Sequence, residues 1–491
     1  MPERENSTWN RVEGGFEEQG GGEAAADELS KLAETSPSRA VEIIRMLSSK
    51  RLTTNIDRAL RGFTACKDRE LIFSLVKDIS DECDESESYR SVASSLLRSQ
   101  CDDDGLPEDI IALLESWLAK PWDIMRSVEV DGDKKERKVE QSFLWTNLGF
   151  VMVDADNSYY TLIALTQSLL NKNNPQGDRW IAVLSSHLDN EASYKTWRMF
   201  CDSLRFVRES YCSERMGKLL IDKLYAKFPQ LASETFGCRL LAMLARYLDP
   251  EFLTAIFDRL VSSDDKFDQQ AAGELMTLCA LLDETSEWCS PLLDRHLFPN
   301  DMDKAPEPAF LVGVAHAASN LWDDLNKPRE CSRIIAQVVS YGITDATNAI
   351  RRLFWDAIAL PADEQTSAIV QKLAEKIDTV SEGLAEDLLG QLTDVLPHLR
   401  PEIMVFAQRL VETRFEELRR RELNAYEVGS YLVEISMTLQ RFDDTRSEAL
   451  DLFEKLLTAG LDEANKALKD VDAVDEVTPE SPRMPRRRRR Q

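Results

Sequence analysis

Apolar residues recur three and four positions apart along almost the whole chain. The clearest apolar face comprises Phe252, Leu253, Ile256, Phe257, Leu260 and Val261. A second one comprises Ala449, Leu452, Phe453, Leu456 and Leu457. This spacing places each set on one side of a helix, so the pattern predicts a chain built from amphipathic helices.

Strict alternation of apolar and polar residues is confined to one short stretch. Val128 and Val130 precede a charged Asp-Gly turn within residues 127–139. This segment is expected to be a charged loop or a small hairpin that interrupts the helices locally.

Prolines mark the expected helix starts and give the chain a rhythm. Proline is tolerated in the first helical turn because its missing N–H would have no partner there. The prolines interpreted in this way are Pro37, Pro107, Pro229, Pro250, Pro291, Pro361 and Pro401. Pro250 to Pro291 and Pro361 to Pro401 each span about 40 residues, the length of one two-helix repeat.

Two stretches echo each other at this spacing, LDPEFLTAIFDRLV at Leu248–Val261 and LRPEIMVFAQRLV at Leu399–Val411. With the proline rhythm they resemble HEAT and armadillo repeats. That resemblance implies an all-α fold, a right-handed α-solenoid of antiparallel helical hairpins, and composition predicts disordered tails at both ends. An irregular helical bundle with similar helix lengths is the alternative.

The expected organisation has five parts. Residues 1–24 are acidic and rich in glycine, and are expected to be a disordered tail. Residues 25–126 form N-terminal helical repeats, 127–139 the charged loop, and 140–469 a helical-repeat array. Residues 470–491 form a second disordered tail that ends in an arginine run.

Composition supports helices and constrains the partner. Only 19 glycines and 18 prolines occur in 491 residues, which disfavours a turn-rich β-protein. The formal net charge of −27 opposes broad contact with nucleic acid phosphates. The expected ligand is a protein or peptide with a basic surface, bound on the concave face of the solenoid.

The C-terminal arginine run is Arg486, Arg487, Arg488, Arg489 and Arg490. It is interpreted as a weak electrostatic tether to nucleic acid or an acidic partner, or as a solvated end that folds back onto the acidic body.

Localisation is inferred from missing signals. The longest uncharged stretch, Ala309 to Trp322, is shorter than the roughly 20 apolar residues of a membrane span. The N-terminus lacks the basic and apolar regions of a secretory signal, so a cytoplasmic protein with reduced cysteines is expected. The nine cysteines form no CxxC pair and the four histidines no paired ligand motif, so no metal site is expected.

Phosphate-loop, dinucleotide and nucleophile-elbow patterns are absent from the sequence, so no catalytic residue and no cofactor are assigned. One stretch suggests an enzyme alternative: Asp264, Asp265 and Asp268 in DDKFD resemble the DDxxD motif of class I isoprenoid synthases. That resemblance implies Mg²⁺ held against a diphosphate. The stretch from Asp443 to Asp451 resembles that family's second metal motif.

The stretch Ser430–Asp470 resembles the last helices of helical-repeat arms in bacterial STAND-type NTPases. That resemblance implies a sensor arm without its nucleotide-binding domain. The leading hypothesis is therefore a non-enzymatic interaction scaffold or sensor subunit, in a bacterial defence or signalling assembly.

Overall fold

The structure is a computed structural model of the full chain. It describes residues 8–12, 15–19, 21–50, 56–120, 141–145, 158–191, 194–204, 220–299, 305–325, 327–354, 361–396, 398–421 and 427–474. The loop at 127–139 and the arginines at 486–490 lie outside these residues.

The chain divides into two compact units. Unit 1 comprises residues 1–137 and 146–260, and unit 2 comprises residues 138–145 and 261–491. The short stretch 138–145 therefore groups with helices that follow it by more than a hundred residues.

A two-stranded antiparallel hairpin begins the described part of unit 1. Strand β1 (Thr8–Val12) pairs with β2 (Gly15–Gln19), Thr8 lying opposite Gln19. The first helix then begins at Gly21. The structure thus differs from the disordered tail expected for residues 1–24, because it assigns hydrogen-bonded strands and the start of a helix to this segment.

The helices of unit 1 are α1 (Gly21–Thr35), α2 (Pro37–Ser49), α3 (Ile56–Leu60), α4 (Arg69–Cys83), α5 (Glu87–Ser99), α6 (Glu108–Ala119), α7 (Tyr159–Leu169), α8 (Gly177–Glu191), α9 (Tyr194–Leu204), α10 (Asp222–Lys227), α11 (Thr235–Leu244) and α12 (Pro250–Val261). Most pack on the helix two places along the chain: α1 on α3, α2 on α4, α3 on α5, α5 on α7, α6 on α8, and α7 on α9. Contacts between second neighbours are what a stack of helical hairpins produces.

The helices of unit 2 are α13 (Lys266–Leu281), α14 (Asp283–Leu297), α15 (Pro308–Asp324), α16 (Pro328–Ser340), α17 (Thr344–Ala349), α18 (Glu364–Glu375), α19 (Glu382–Val395), α20 (Arg400–Arg420), α21 (Glu427–Leu439), α22 (Arg446–Thr458) and α23 (Asp462–Val474). Odd-numbered helices pack on odd and even on even: α13 on α15, α15 on α17, α19 on α21 and α21 on α23, beside α14 on α16, α16 on α18, α18 on α20 and α20 on α22. Two layers connected in this way confirm an all-α solenoid. The last helix runs to Val474, four residues beyond the start expected for the C-terminal tail.

Ion pairs join successive hairpins, and the sequence separation of the two partners gives the repeat length. In unit 1, Arg58 pairs with Asp27 and Lys77 with Asp109, at separations of 31 and 32 residues. In unit 2 the separations are longer, as in Arg333 with Asp294 at 39 residues and Lys455 with Glu412 at 43. These values include the repeat of about 40 residues predicted from the prolines.

The prolines themselves have mixed outcomes. Pro37, Pro250 and Pro401 lie in the first turn of a helix, as predicted. Pro291 does not, because it lies inside α14, where apolar packing of Cys289, Leu292 and Leu293 continues the helix past it. The proposed start at Pro291 is therefore wrong, although the repeat length inferred from it is supported by the ion pairs.

The closest helix crossing in unit 2 is made by two glycines. A Cβ atom on Gly273 of α13 would lie 2.2 Å from the Phe310 carbonyl oxygen, and one on Gly313 of α15 would lie 2.1 Å from the Gln270 carbonyl oxygen. No side chain fits at either position, so the two backbones touch. Residues 270–281 of α13 are all buried as a result of this crossing and of the elements around it.

Gly273→Ala should lower the stability of unit 2 by about 1–3 kcal/mol, because the methyl group forces two backbones apart. The measurement is the urea unfolding midpoint. Gly177→Ala in α8 is the matched control, since a Cβ there meets nothing within 4 Å. Equal stability of both variants would contradict the close crossing.

Candidate peptide-binding site on helix α13

A fully buried carboxylate is the centre of the candidate site. Glu274 lies on α13 one residue after Gly273, has no exposed surface, and sits where α13 and α15 approach most closely. A buried charge is stable only if hydrogen-bond donors surround it, so the partners of this side chain define the site.

The partners come from the short segment Gln141–Trp145, which we call the strap. The Phe143 amide donates to both carboxylate oxygens of Glu274 at 2.9 and 3.0 Å, and the Leu144 amide donates at 3.0 Å. The Ser142 hydroxyl donates to the same carboxylate at 2.8 Å. Successive main-chain N–H groups thus hold the carboxylate as they hold anions in turns elsewhere.

Gln270, one turn before Glu274 on α13, completes the receptor, and we call these two side chains the clamp. Its amide donates to the Gln141 carbonyl at 2.9 Å and to the Glu274 carboxylate at 3.0 Å. One side chain therefore links the strap backbone to the buried charge. The clamp therefore hydrogen-bonds both to the Gln141 carbonyl at the start of the strap and to the amides that follow it.

Ser142 shapes the strap as well as binding the clamp. Its hydroxyl oxygen accepts hydrogen bonds from the amides of Leu144 at 3.1 Å and Trp145 at 3.0 Å. This local bonding is the turn-forming behaviour of serine. The turn aims the amides of residues 143 and 144 at Glu274.

Phe143 supplies the apolar anchor. Its ring is fully buried and meets the Phe267 ring of α13 edge-on, with centroids 6.5 Å apart. Such edge contacts add about 0.5–1.5 kcal/mol to the burial of the ring. The strap is therefore held by one aromatic ring, one hydroxyl and its own backbone.

Burial raises the pKa of the Glu274 carboxyl, and the hydrogen bonds from Phe143, Leu144, Ser142 and Gln270 oppose that rise. The direction means that desolvation outweighs the four donors. A clamp without the strap would lose three of those donors, which makes an empty clamp strongly unfavourable.

Two of the three aspartates proposed to hold Mg²⁺ make hydrogen bonds at the start of α13. Asp265 caps α13 by accepting a hydrogen bond from the Phe267 amide at 2.8 Å, and Asp268 accepts one from the Ser263 hydroxyl at 2.6 Å. Asp264 is exposed. Among the described residues, no group of three or more His, Cys, Asp or Glu side chains is placed to hold a metal ion.

The second proposed metal motif is not brought to the first. Asp443 precedes α22 and pairs with Arg446 at 3.0 Å, whereas Asp451 lies exposed on that helix. The main contacts of α22 are with α20, α21 and α23, and those of α13 are with α14 and α15. The two motifs thus belong to different repeats.

An acidic face on α22 is the second candidate for binding. Glu448, Asp451 and Glu454 are spaced by three residues, so they share one side of the helix. Leu450, one turn before Glu454, has half of its surface exposed. Among the described residues none of these three carboxylates has an ion-pair partner, unlike Glu412, which pairs with Lys455 at 2.7 Å. We call Glu448, Leu450, Asp451 and Glu454 the acidic face.

Comparisons with known proteins identify no family for this chain. No protein-family model matches the chain, and no curated protein matches it. The chain is similar to solved structures of Kap121p bound to Ste12p (TM-score 0.27, 13% identity) and to Pho4p (TM-score 0.30, 12% identity). Each alignment covers 89% of this chain and 54% of the other, so the chain spans about half the length of these proteins. Superpositions this loose establish no common arrangement, and the fold rests on the helix contacts within each unit.

None of the described helices is both long and apolar enough to span a membrane. Six of the eight described cysteines are buried, as is usual for free cysteines that pack as small apolar residues.

The hydroxyl of Ser142 should contribute most to stability while Glu274 is charged, because it donates to that carboxylate in addition to accepting from two strap amides. Ser142→Ala is expected to cost about 1.5–3 kcal/mol, the usual range for a hydrogen bond to an ionised group. In a Glu274→Gln background the same change should cost clearly less. Urea unfolding of the two single variants and the double variant measures this coupling. Additive effects would contradict the geometry of the clamp.

Proposed function

We propose that this chain is a non-enzymatic protein-interaction scaffold whose acidic surface binds a partner with a basic surface. The observation that carries the proposal is the acidic face of α22. The three carboxylates there have no ion-pair partner within the part of the chain that the structure describes, and the half-exposed Leu450 precedes Glu454 by one turn. An exposed apolar side chain next to carboxylates suits a partner that presents an apolar residue among lysines or arginines.

The distribution of cations supports the same proposal. Many described lysines and arginines are engaged between repeats, as in Arg400 with Asp444 and Arg421 with Asp462. Exposed pairs of this kind stabilise the fold by about 0–1 kcal/mol each. Their positive charge is nonetheless neutralised locally, so the surplus carboxylates dominate the field that a partner meets.

Finer assignments are part of the proposal. The chain would act in the cytoplasm as a sensor or scaffold subunit of a bacterial defence or signalling assembly, next to a separately encoded enzyme. Arg486–Arg490 would add a weak electrostatic tether. The likeness of Ser430–Asp470 to STAND-type arms suggests this setting, and that stretch contributes to α21–α23.

The enzyme alternative stays a prediction with its own test. If Asp264, Asp265 and Asp268 hold Mg²⁺ against a diphosphate, Asp264→Asn together with Asp268→Asn should abolish Mg²⁺-dependent diphosphate binding. We expect no such binding in the unaltered chain, because Asp265 and Asp268 are engaged at the start of α13. The measurement is calorimetric titration of inorganic diphosphate into the protein in the presence of Mg²⁺. Saturable binding would favour the enzyme alternative.

Reversing the acidic face should release the partner. The tagged protein is used to capture partners from its native host at low and at moderate salt, with mass spectrometry of what co-elutes. Glu448→Lys, Asp451→Lys and Glu454→Lys together should reduce capture at least tenfold, because like charges then meet across the interface.

The matched control carries the same charge change in unit 1, at the exposed Glu34, Glu42 and Asp81. It should capture the partner as the unaltered protein does. Equal loss in both triple variants would mean that only net charge matters, and undiminished capture by the α22 variant would contradict this surface.

A further inference from the structure

The strap resembles a bound ligand more than a part of the helical stack. It lies about 130 residues before the clamp in sequence, and within unit 2 it contributes turn structure beside the helices. Its hold depends on the backbone and on two buried side chains, Ser142 and Phe143, whereas Gln141 is exposed. A site that binds mainly backbone groups can bind any segment that offers the same backbone groups and the same two side chains.

We propose that the clamp on α13 is a binding site for short peptide segments with a serine followed by an aromatic residue, and that the strap is its internal occupant. The proposal deepens the interaction scaffold proposed above, since it names a second kind of partner segment. A partner protein that carries such a segment would replace the strap on Gln270 and Glu274.

The geometry specifies the segment position by position. The residue before the serine needs only a carbonyl for Gln270, so its side chain is free to vary. The serine must donate to Glu274 while accepting from the two amides that follow. The next residue needs an aromatic ring and an N–H group, and the one after it an N–H group, so proline is excluded at both positions.

The negative charge of Glu274 also excludes acidic segments from the clamp. Glu274 is buried and accepts four donors, so an aspartate or glutamate in place of the serine or the aromatic residue would bring a second negative charge against it. A phosphorylated serine would be excluded for the same reason and because its hydroxyl donor is lost. The segment should therefore bind in its unmodified form.

Because the clamp needs hydrogen-bond donors, we expect a partner segment to replace the strap, and we do not expect the clamp to stay empty. Glu274 would lose the Ser142, Phe143 and Leu144 donors if the strap left without a replacement. A competing segment must overcome a tethered strap whose effective concentration is of the order of millimolar. Free peptides should consequently bind the unaltered protein weakly, and should bind well once the strap is weakened.

The test is binding of a fluorescent synthetic peptide with the sequence of residues 138–147 to the full chain, followed by anisotropy. Phe143→Ala removes the anchor of the strap while leaving the clamp intact. This variant should bind the peptide at least tenfold more tightly than the unaltered protein does. A peptide with alanine in place of its phenylalanine should bind at least tenfold more weakly, and Glu274→Gln added to Phe143→Ala should abolish binding.

Phe143→Leu provides a milder variant if Phe143→Ala does not fold. Equal, weak binding of the peptide to a folded strap variant and to the unaltered protein would overturn the proposal. Failure of both variants to fold would also overturn it, because the strap would then be an integral part of the core. Neither result affects partner capture by the acidic face of α22, so the two proposals fail separately.

Discussion

The buried carboxylate of Glu274 is the constraint on which unit 2 depends most. Removing one partner of a buried charge typically costs about 3–5 kcal/mol, whereas an exposed ion pair contributes about 0–1 kcal/mol. The pairs that join successive hairpins, such as Arg333 with Asp294, are of the second kind, with both side chains roughly half exposed. These pairs reveal the repeat length, but the clamp and the crossing at Gly273 and Gly313 determine how α13, α15 and the strap fit together.

These two features depend on each other. The crossing requires glycine at both positions, and Glu274 lies next to it with no exposed surface when the strap is in place. The carboxylate in turn needs donors that neither α13 nor α15 can supply in full, because Gln270 provides only one. A turn with free amides is the remaining source, and the strap provides it. A requirement created by helix packing is thus met by a segment that is remote in sequence.

Much of the fold could be predicted from the sequence, because helical periodicity and proline placement are local signals. The predicted apolar residues Leu253, Ile256 and Phe257 form the buried side of α12, and the repeat of about 40 residues recurs in the ion pairs of unit 2. The helix start predicted at Pro291 is wrong because the sequence does not distinguish a proline inside a helix from one in its first turn. Thr8–Val12 and Gly15–Gln19 were missed because glycine-rich acidic segments give no strand signal.

The candidate site could not be predicted in the same way. The sequence of α13 does carry a signal, since Gln270 and Glu274 are polar residues four apart in the buried stretch 270–281, which is apolar apart from them and Thr277. The identity of their partner depends on a contact across about 130 residues, and no local pattern reveals it. The DDKFD motif is a local pattern and is therefore visible in the sequence, and its Asp265 caps helix α13.

Hydrogen exchange of the Phe143 and Leu144 amides tests the central claim most directly. If the strap is an exchangeable occupant of the clamp, both amides should be strongly protected, yet should open at a lower free energy than the amides in the middle of α13. Exchange only together with α13, in one cooperative unfolding step, would contradict an exchangeable strap. Exchange as fast as in an unstructured peptide would contradict the hydrogen bonds to Glu274.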